Sequence, residues 1–204
     1  MSLLKVGVLA SGRGSNLQAI MDASREGKIP AEVVVVISDQ GDAYALERAR
    51  SAGITAVVVE PAGFPSREAY EEQVVAVLQK YGVELVCLAG YMRLVGRVLL
   101  KVYPNKMMNI HPALLPAFPG LHGQQQAWEY GVRYSGCTVH FVDDGMDTGP
   151  IILQAVVPVL PEDTGDDLAA RILEQEHIIY PEAVNLFARG RLEVVGRKVM
   201  IIQN

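Results

Sequence analysis

The amino-acid sequence predicts a doubly wound, Rossmann-like α/β fold, in which helices flank a mostly parallel sheet and antiparallel strands lie in the C-terminal half. Three observations lead to this prediction. Short apolar runs alternate with helical patterns in the first half, two strand-like runs flank a turn-rich stretch in the second half, and 50% of the 204 residues are hydrophobic. This length and apolar content suit a single domain, expected to span residues 1–204.

Four apolar runs in the first half are predicted to form the parallel strands. Strands that helices cover on both faces are apolar along their whole length and rich in β-branched residues. The runs with this character are residues 5–10, 33–38, 56–59 and 85–90.

Helical spacing of apolar residues fills the stretches between these runs. The predicted helices are residues 17–26, 43–52 and 66–81. A glycine follows each of them, and a glycine in the left-handed conformation is a common helix C-cap. These glycines are Gly27, Gly53 and Gly82. We therefore expect the first half to consist of βαβ motifs.

Prolines interrupt the start of the second half. Pro104, Pro112, Pro116 and Pro119 forbid a regular helix, so we expect a strand at residues 107–110 followed by a long irregular segment. Loops of that length are usually functional.

The remainder of the second half contains two predicted strands and one long helix. The strands are residues 137–142 and 151–159, and they flank a turn-rich stretch at residues 143–150. The helix is expected from about residue 166 to residue 188, with Thr164 as its N-cap and an acidic residue three positions later.

Charge and composition argue against several classes of protein. The net charge is −5 and no basic run could neutralise a phosphate backbone, so nucleic-acid binding is disfavoured and a small molecule is the expected partner. The N-terminus lacks the features of a signal peptide, and no apolar stretch approaches the ~18 residues of a membrane span. We therefore expect a cytoplasmic protein. Cys87 and Cys137 lie in apolar contexts and should be buried thiols.

A glycine-rich loop, Ser11-Gly12-Arg13-Gly14-Ser15-Asn16, joins the first predicted strand to the first helix. Its backbone N–H groups and the helix N-terminus could bind a phosphate. It is not a Walker A loop, and Leu17 takes the third glycine position of the dinucleotide fingerprint, which disfavours a nicotinamide cofactor. Two alternatives stay open: Ser15 or Asn16 only caps the helix, or Asp39 acts as a ribose-binding acid.

A second constellation is Asn109-Ile110-His111-Pro112. The period of two in a strand puts the Asn109 amide and the His111 imidazole on one face, so both can address one carbonyl. An amide donor beside a histidine that can be protonated suits an acyl oxygen that gains charge during nucleophilic attack, provided that a carboxylate stabilises the imidazolium. The alternative is a histidine with a structural role.

Three aspartates compete to be that carboxylate. Asp143, Asp144 and Asp147 share one turn-rich loop, and their spacing does not choose among them. Each could instead be a solvated turn residue. Gly145 and Gly149 are expected to permit unusual turns around Asp147.

The remaining histidines do not suggest a metal site. His122, His140 and His177 lack metal-ligand spacing; we expect His140 to pack in a strand and His177 to lie on a helix at the surface or at a ligand rim. No Gly-x-Ser-x-Gly elbow is present and neither cysteine has a charged local partner, so covalent catalysis is not expected.

With these motifs, the chain resembles the glycinamide ribonucleotide formyltransferase family, folate-dependent enzymes of purine synthesis, nearly from end to end. The stretches that carry the resemblance are residues 9–20, 66–70, 88–93, 109–116, 138–142, 147–152 and 176–177. The stretch at 109–116 is shared by the wider superfamily of 10-formyltetrahydrofolate transferases and hydrolases, so it indicates the chemistry and not the acceptor. The Gly-Ser-Asn loop is shared by a narrower group of proteins.

The resemblance implies a role for each of several residues. Asn109, His111 and Asp147 would be catalytic. The ribonucleotide would be bound by Gly14, Ser15, Asn16 and Glu176. Formyl folate would lie against Arg67, Met92, Arg93, Leu94, Val95, Asn109, Asp143 and Asp144. Leu173 departs from the family, whose members often carry a polar substrate contact there. No metal is implied.

The implied reaction transfers the formyl group of 10-formyltetrahydrofolate, a co-substrate, to the amine of glycinamide ribonucleotide. Residues 1–100 would bind phosphate, and residues 101–204 would hold the catalytic and folate sites. Formyltetrahydrofolate deformylase and methionyl-tRNA formyltransferase are rivals, but each resembles this chain plus a further domain for which we expect no room. A non-catalytic phosphoribosyl-binding module would not need the catalytic trio. The chain could be a monomer or a homodimer.

Overall fold

The computed structural model describes residues 2–203. The chain forms two compact units, of which the first ends at Met108 and the second begins at Asn109. The glycine-rich loop belongs to the first unit. The three residues predicted to be catalytic belong to the second.

Parallel strands and helices alternate in the first unit. Its strands are β1 (Leu4–Leu9), β2 (Ala31–Ser38), β3 (Thr55–Val58) and β4 (Leu85–Leu88). Its helices are α1 (Ser15–Arg25), α2 (Tyr44–Ser51), α3 (Arg67–Lys80) and α4 (Arg97–Val102), with a short 3-10 helix at Pro61–Gly63. β1 pairs in parallel with β2 and β4, and β2 pairs in parallel with β3. The predicted βαβ arrangement is therefore confirmed.

The burial of these strands explains their apolar sequences. All four residues of β4 and the last four of β1 are buried, as expected for strands that lie between two layers of helices. β3 is the outermost strand in the order β3-β2-β1-β4 and is partly exposed. The glycines that follow α1, α2 and α3 have φ values of 70°, 72° and 65°, so the predicted left-handed helix ends are confirmed.

The second unit begins within β5 (Met107–His111) and contains antiparallel pairs. Its later elements are α5 (Gly123–Tyr130), β6 (Tyr134–Phe141), β7 (Ile151–Pro158), α6 (Gly165–Ala188), β8 (Leu192–Val195) and β9 (Lys198–Ile201). The strand order is β5-β6-β7-β9-β8. β6 and β7 are antiparallel, as are β8 and β9, whereas β7 and β9 are parallel. The antiparallel strands predicted for the C-terminal half are confirmed.

Four short elements are absent from the sequence-based prediction: α4, α5, β8 and β9. The helix α4 has six residues and the two strands have four each, so they are too short to show a clear hydrophobic period. α5 begins at Gly123, beyond the last of the four prolines. The irregular segment after β5 is consequently shorter than the sequence indicates.

Thr164 caps α6, as predicted. Its Oγ1 accepts a hydrogen bond from the Asp167 backbone N–H at 3.2 Å, and the Asp167 carboxylate accepts from the Thr164 N–H at 2.9 Å. This capping box satisfies backbone groups that have no partner inside the helix. α6 packs on β6, β7 and α5 in the second unit.

Further sequence-based predictions concern buried and membrane-spanning residues. Cys87, Cys137 and His140 are buried, as predicted. Between residues 2 and 203, no helix combines the length and the apolar character that crossing a membrane requires.

Replacing Thr164 by alanine is expected to lower the free energy of unfolding by about 1 kcal/mol, because its hydroxyl satisfies a backbone donor of α6. Thr164→Ser keeps the hydroxyl and is the matched control, so it should change the stability much less. Urea unfolding followed by circular dichroism measures both variants. Equal losses for alanine and serine would contradict the capping role.

The stability difference should also depend on pH. Hydrogen bonds from Thr164 hold the pKa of the exposed Asp167 carboxyl below its ordinary value. A lowered pKa contributes stability above the unfolded-state pKa of about 3.9, and this contribution disappears as the pH falls through the folded-state pKa. The difference between Thr164→Ala and the wild-type protein should therefore shrink in acid.

Candidate active site

The glycine-rich loop lies in the first unit between β1 and α1. Gly14 is the N-cap of α1 and has a left-handed backbone with φ 70°, and no side chain caps the helix. Ser15 and Asn16 are instead the first two residues of α1, so the alternative in which either only caps the helix does not describe the structure. A Cβ at Gly14 would lie 2.7 Å from the Ala45 Cβ, so this position requires glycine for close approach as well as for φ.

Asp39, the other open alternative in the first unit, follows β2. Its side chain is buried, and its Oδ2 accepts a 3.4 Å hydrogen bond from the Gln40 side chain. The ribose-binding role of Asp39 stays a prediction.

The segment from Met92 to Gly96, called the 92–96 segment below, also belongs to the first unit and has no helix or strand of its own. Met92 is 66% exposed and Leu94 is 58% exposed. The Met92 N–H donates to Ser11 Oγ at 2.9 Å, and Arg67 donates from Nη2 to the Leu94 carbonyl at 2.6 Å. The structure therefore brings together Arg67 and the residues 92–95 that the resemblance assigns to folate.

In the second unit, Asn109 and His111 converge on one carboxylate. Asn109 Nδ2 lies 3.4 Å from Asp147 Oδ1, and His111 Nδ1 lies 3.4 Å from Asp147 Oδ2. The two residues are two positions apart on β5, so the period of the strand places both side chains on the same face. The predicted constellation is therefore present as geometry.

The loop between β6 and β7 presents Asp147 rather than its two neighbours. Asp143 accepts hydrogen bonds from the Gly145 N–H and the Thr148 hydroxyl and so holds the loop itself, and Asp144 is exposed. Asp147 has a φ of 55°, and its Oδ2 accepts from the Gly120 N–H at 2.7 Å. The loop geometry thus selects one aspartate, which residue spacing does not do.

The structure requires glycine at both positions of this loop, but for a physical reason other than the predicted one. Neither Gly145 nor Gly149 has a positive φ; the left-handed residue is Asp147. A Cβ at Gly149 would lie 1.7 Å from the Phe141 carbonyl oxygen, and one at Gly145 would lie 2.0 Å from Thr148 Oγ1. Close approach, and not an unusual turn, therefore requires glycine at both positions.

His111 is 3% exposed, and both its ring nitrogens face acceptors. Nε2 lies 2.7 Å from the Phe118 carbonyl oxygen, and Nδ1 faces Asp147. Burial lowers the pKa of His111 below its ordinary value, against the opposing effect of Asp147. The neutral ring places its proton on Nε2, where the shorter contact lies, and only the imidazolium can donate to both acceptors.

Asp147 stays ionised near neutral pH. Burial alone would raise the pKa of its carboxyl, but the contact with His140, the hydrogen bond from the Gly120 N–H and the charge of His111 together lower it below its ordinary value. The site therefore holds a fixed negative charge beside His111.

His140 belongs to the same cluster, a position that the sequence pattern does not predict. Its Nδ1 lies 2.9 Å from the Phe141 carbonyl oxygen, which only accepts, so Nδ1 carries a proton, and its Nε2 lies 3.6 Å from Asp147 Oδ1. Nε2 lies 3.3 Å from Asn109 Nδ2. The Asp147 carboxylate only accepts, so the Nδ2 end of the Asn109 amide faces it. The signal in the sequence is an imidazole within a buried strand.

Glu176 is buried on α6 in the second unit. It lies near Cys137, where burial and then the Glu176 charge raise the pKa of the thiol to about 12. Leu173 is half-buried one turn earlier, and His177 is half-buried beside Glu176. The residues that the structure describes contain no group of three or more His, Cys, Asp or Glu side chains that could hold a metal ion.

Taken together, the second unit offers an amide donor, an imidazole and an ionised carboxylate within hydrogen-bonding range. Donors arranged in this way can stabilise negative charge that develops on a carbonyl oxygen. The first unit offers a helix N-terminus and an exposed apolar segment, which suit an anion and a flat apolar ligand respectively.

Known proteins are similar to this chain in sequence and in fold. Residues 4–184 match the formyl transferase family. The phosphoribosylglycinamide formyltransferase of Escherichia coli (strain K12) is 47% identical over 191 residues, which cover 94% of this chain and 90% of that protein. The trifunctional purine biosynthetic protein adenosine-3 of Drosophila pseudoobscura pseudoobscura is 48% identical over 94% of this chain, which spans 14% of the length of that protein.

A solved structure agrees with these matches. Glycinamide ribonucleotide transformylase 1 from Symbiobacterium toebii is 60% identical to this chain, with a TM-score of 0.98, and the alignment covers 99% of this chain and 95% of that one. Its similarity extends over both units, including β8 and β9. With a family match over most of its length and relatives of this identity, the chain belongs to the formyl transferase family and is a transferase.

Proposed function

We propose that this enzyme transfers the formyl group of 10-formyltetrahydrofolate to the amine of glycinamide ribonucleotide, giving formylglycinamide ribonucleotide and tetrahydrofolate in purine (IMP) biosynthesis. The observation that carries the proposal is the convergence of Asn109 and His111 on the Asp147 carboxylate. The names of the relatives from Escherichia coli and Symbiobacterium toebii support glycinamide ribonucleotide as the acceptor.

The proposed reaction is a direct transfer. The amine nitrogen of the ribonucleotide attacks the formyl carbon, a C–N bond forms, and the formyl oxygen becomes an oxyanion to which Asn109 and His111 donate. The bond from the formyl carbon to the folate nitrogen then breaks, and the proton lost by the amine passes to that nitrogen by way of water. Both cysteines are buried, in keeping with a route without a covalent enzyme intermediate.

The charge of His111 is the central electrostatic feature of this mechanism. Burial favours the neutral ring and Asp147 favours the imidazolium. An oxyanion that forms beside the ring adds a second negative charge, which favours the imidazolium further. This interaction is stronger in the transition state than in the ground state, and such a difference accelerates a reaction.

The Phe118 carbonyl competes with the formyl oxygen for His111. Its oxygen accepts the hydrogen bond from Nε2 at 2.7 Å, while Nδ1 faces Asp147. A formyl oxygen that receives the Nε2 proton must replace this carbonyl. We therefore propose that Phe118, which has a φ of 53°, moves when the substrates bind.

The ligand-binding residues are a further part of this proposal. The ribonucleotide phosphate would bind at the first turn of α1, at Gly14, Ser15 and Asn16, and Glu176 would contact the ribonucleotide from α6. The residues proposed to bind formyl folate are Arg67, Met92, Arg93, Leu94, Val95, Asn109, Asp143 and Asp144. Residues 1–100 would then bind phosphate, and residues 101–204 would hold the catalytic and folate sites.

The proposal also covers the metal requirement, the location and the oligomeric state of the enzyme. The enzyme needs no metal, acts on small molecules in the cytoplasm, and works as a monomer or a homodimer. The absence of a polar side chain at Leu173 leaves the ribonucleotide contacts of α6 to Glu176 and its neighbours.

A formyl-transfer assay tests the function directly. Purified enzyme with both substrates should give formylglycinamide ribonucleotide and tetrahydrofolate in equal amounts, measured by mass spectrometry and absorbance. Omission of the ribonucleotide should stop tetrahydrofolate formation. Tetrahydrofolate released at the same rate without the ribonucleotide would instead identify a hydrolase.

His111→Ala is expected to reduce turnover by about 10²- to 10³-fold, because it removes a donor to the oxyanion. Calorimetry should show that ribonucleotide binding survives, since the imidazole acts on charge that exists only in the transition state. Circular dichroism controls for folding. Turnover close to that of the wild-type enzyme would show that His111 does not stabilise the oxyanion.

Asp147→Asn should slow turnover sharply and lower the pKa of His111 further, because the carboxylate is the group that raises this pKa against burial. Asparagine tolerates the φ of 55° as well as aspartate does, so the loop should keep its shape. NMR titration of the His111 ring protons measures the shift. An unchanged pKa would show that another carboxylate raises the pKa of His111.

Ser15→Asp should weaken ribonucleotide binding by repulsion of the phosphate, while the acidic residue at the N-terminus of α1 keeps or raises thermal stability. Ser15→Asn has nearly the same shape without the charge and is the matched control. This pair is preferable to a bulky residue at Gly14, which would collide with Ala45. Calorimetry with glycinamide ribonucleotide should separate the two variants; equal affinities would show that no phosphate binds at this turn.

A further inference from the structure

Glu71 is a buried carboxylate that the proposed mechanism does not use. It lies on α3 and is 3% exposed. Charged side chains are rarely buried unless they are paired. Glu71 Oε1 accepts from the Gly96 backbone N–H at 2.6 Å and from Arg67 Nε at 3.2 Å. Its partners therefore join α3 to the end of the 92–96 segment.

The 92–96 segment depends on such contacts because no helix or strand orders its backbone. At its start, the Met92 N–H donates to Ser11 Oγ, and Arg93 lies over the Tyr70 ring with 5.4 Å from Cζ to the ring centroid. Arg67 holds its middle through the Leu94 carbonyl, and Glu71 holds its end. Glu71 acts twice, since it also orients the Arg67 guanidinium.

The fit between Glu71 and Gly96 is close. A Cβ at Gly96 would lie 2.4 Å from Glu71 Oε1, although the φ of Gly96 is −102° and any residue could adopt it. The contact with the carboxylate, rather than the backbone conformation, therefore requires glycine at this position. The segment and the carboxylate are matched in shape as well as in hydrogen bonding.

We infer that Glu71 is a positioning residue that fixes the 92–96 segment in the conformation that binds the pterin-containing co-substrate. This inference rests on the proposed function, which places formyl folate against residues 92–95. Met92 and Leu94 are exposed apolar side chains on an irregular backbone, and ordering such a backbone during binding would cost affinity. Glu71 orders it beforehand.

The test compares Glu71→Ala and Glu71→Gln with Glu72→Ala, a matched control at the next, exposed position of α3. Glu71→Ala should raise KM for 10-formyltetrahydrofolate about tenfold, because a charge-assisted hydrogen bond to the segment is lost. Glu71→Gln retains an acceptor for the Gly96 N–H and should show a smaller rise. KM for glycinamide ribonucleotide and kcat should stay within about twofold for both, and Glu72→Ala should match the wild-type enzyme.

Two further measurements distinguish positioning from general damage. Hydrogen exchange at the Gly96 amide should accelerate in Glu71→Ala and not in Glu72→Ala. Gly96→Ala, which leaves Glu71 intact but pushes it away, should reproduce the selective rise in KM if Glu71→Ala does not fold. Equal rises in both KM values, or an unchanged KM for the folate, would overturn the inference.

The proposed function can be wrong while the inference about Glu71 is still testable. If the wild-type enzyme does not transfer formyl groups but binds tetrahydrofolate in calorimetry, the same variants measured by calorimetry still test Glu71. If the wild-type enzyme does not bind tetrahydrofolate, both the inference and the folate assignment are wrong.

Discussion

The carboxylate of Asp147 is the point on which the second unit depends. It meets the side chains of Asn109 and His111 from β5 and the backbone N–H of Gly120 from the following segment. Each of these groups is polar and at least partly enclosed, so each would lose free energy without a partner. One ionised side chain therefore supplies acceptors to two elements and sets the electrostatic potential at His111.

The antiparallel pairing of β6 and β7 positions the Asp147 carboxylate. The loop between the two strands begins and ends at the same end of the ribbon, so its residues stay close to the end of β5. Gly149 passes against the Phe141 carbonyl, and only a residue without a side chain fits there. Asp147 has a left-handed backbone in this loop, and aspartate is among the few residues that adopt it readily.

How much of this could be predicted depends on how local each feature is. The pairing of Asn109 with His111 follows from the period of one strand, and the parallel strands of the first unit follow from their apolar runs. The choice of Asp147 over Asp143 and Asp144 depends on loop backbone angles, which residue spacing does not encode. The contact between His140 and Asn109 joins residues 31 positions apart, and no local pattern reports it.

The same distinction applies to the segment beside α3. Its exposed apolar residues could be named from a family resemblance, but the side chains that hold its backbone come from an α3 face whose burial only the packed structure reveals. Binding residues often lie on loops that a rigid scaffold positions. Here the scaffold is one helix, and Arg67, Tyr70 and Glu71 lie within its first five residues.

The enclosed thiols have a practical consequence. Cys87 and Cys137 are both buried, and the pKa of Cys137 is raised to about 12, so thiolate is scarce at neutral pH and thiol reagents have little to attack. A cysteine introduced at the exposed Met92 would consequently be the preferred target for a maleimide dye, without removal of the native thiols. A fluorophore at that position would report directly on changes in the surroundings of the 92–96 segment.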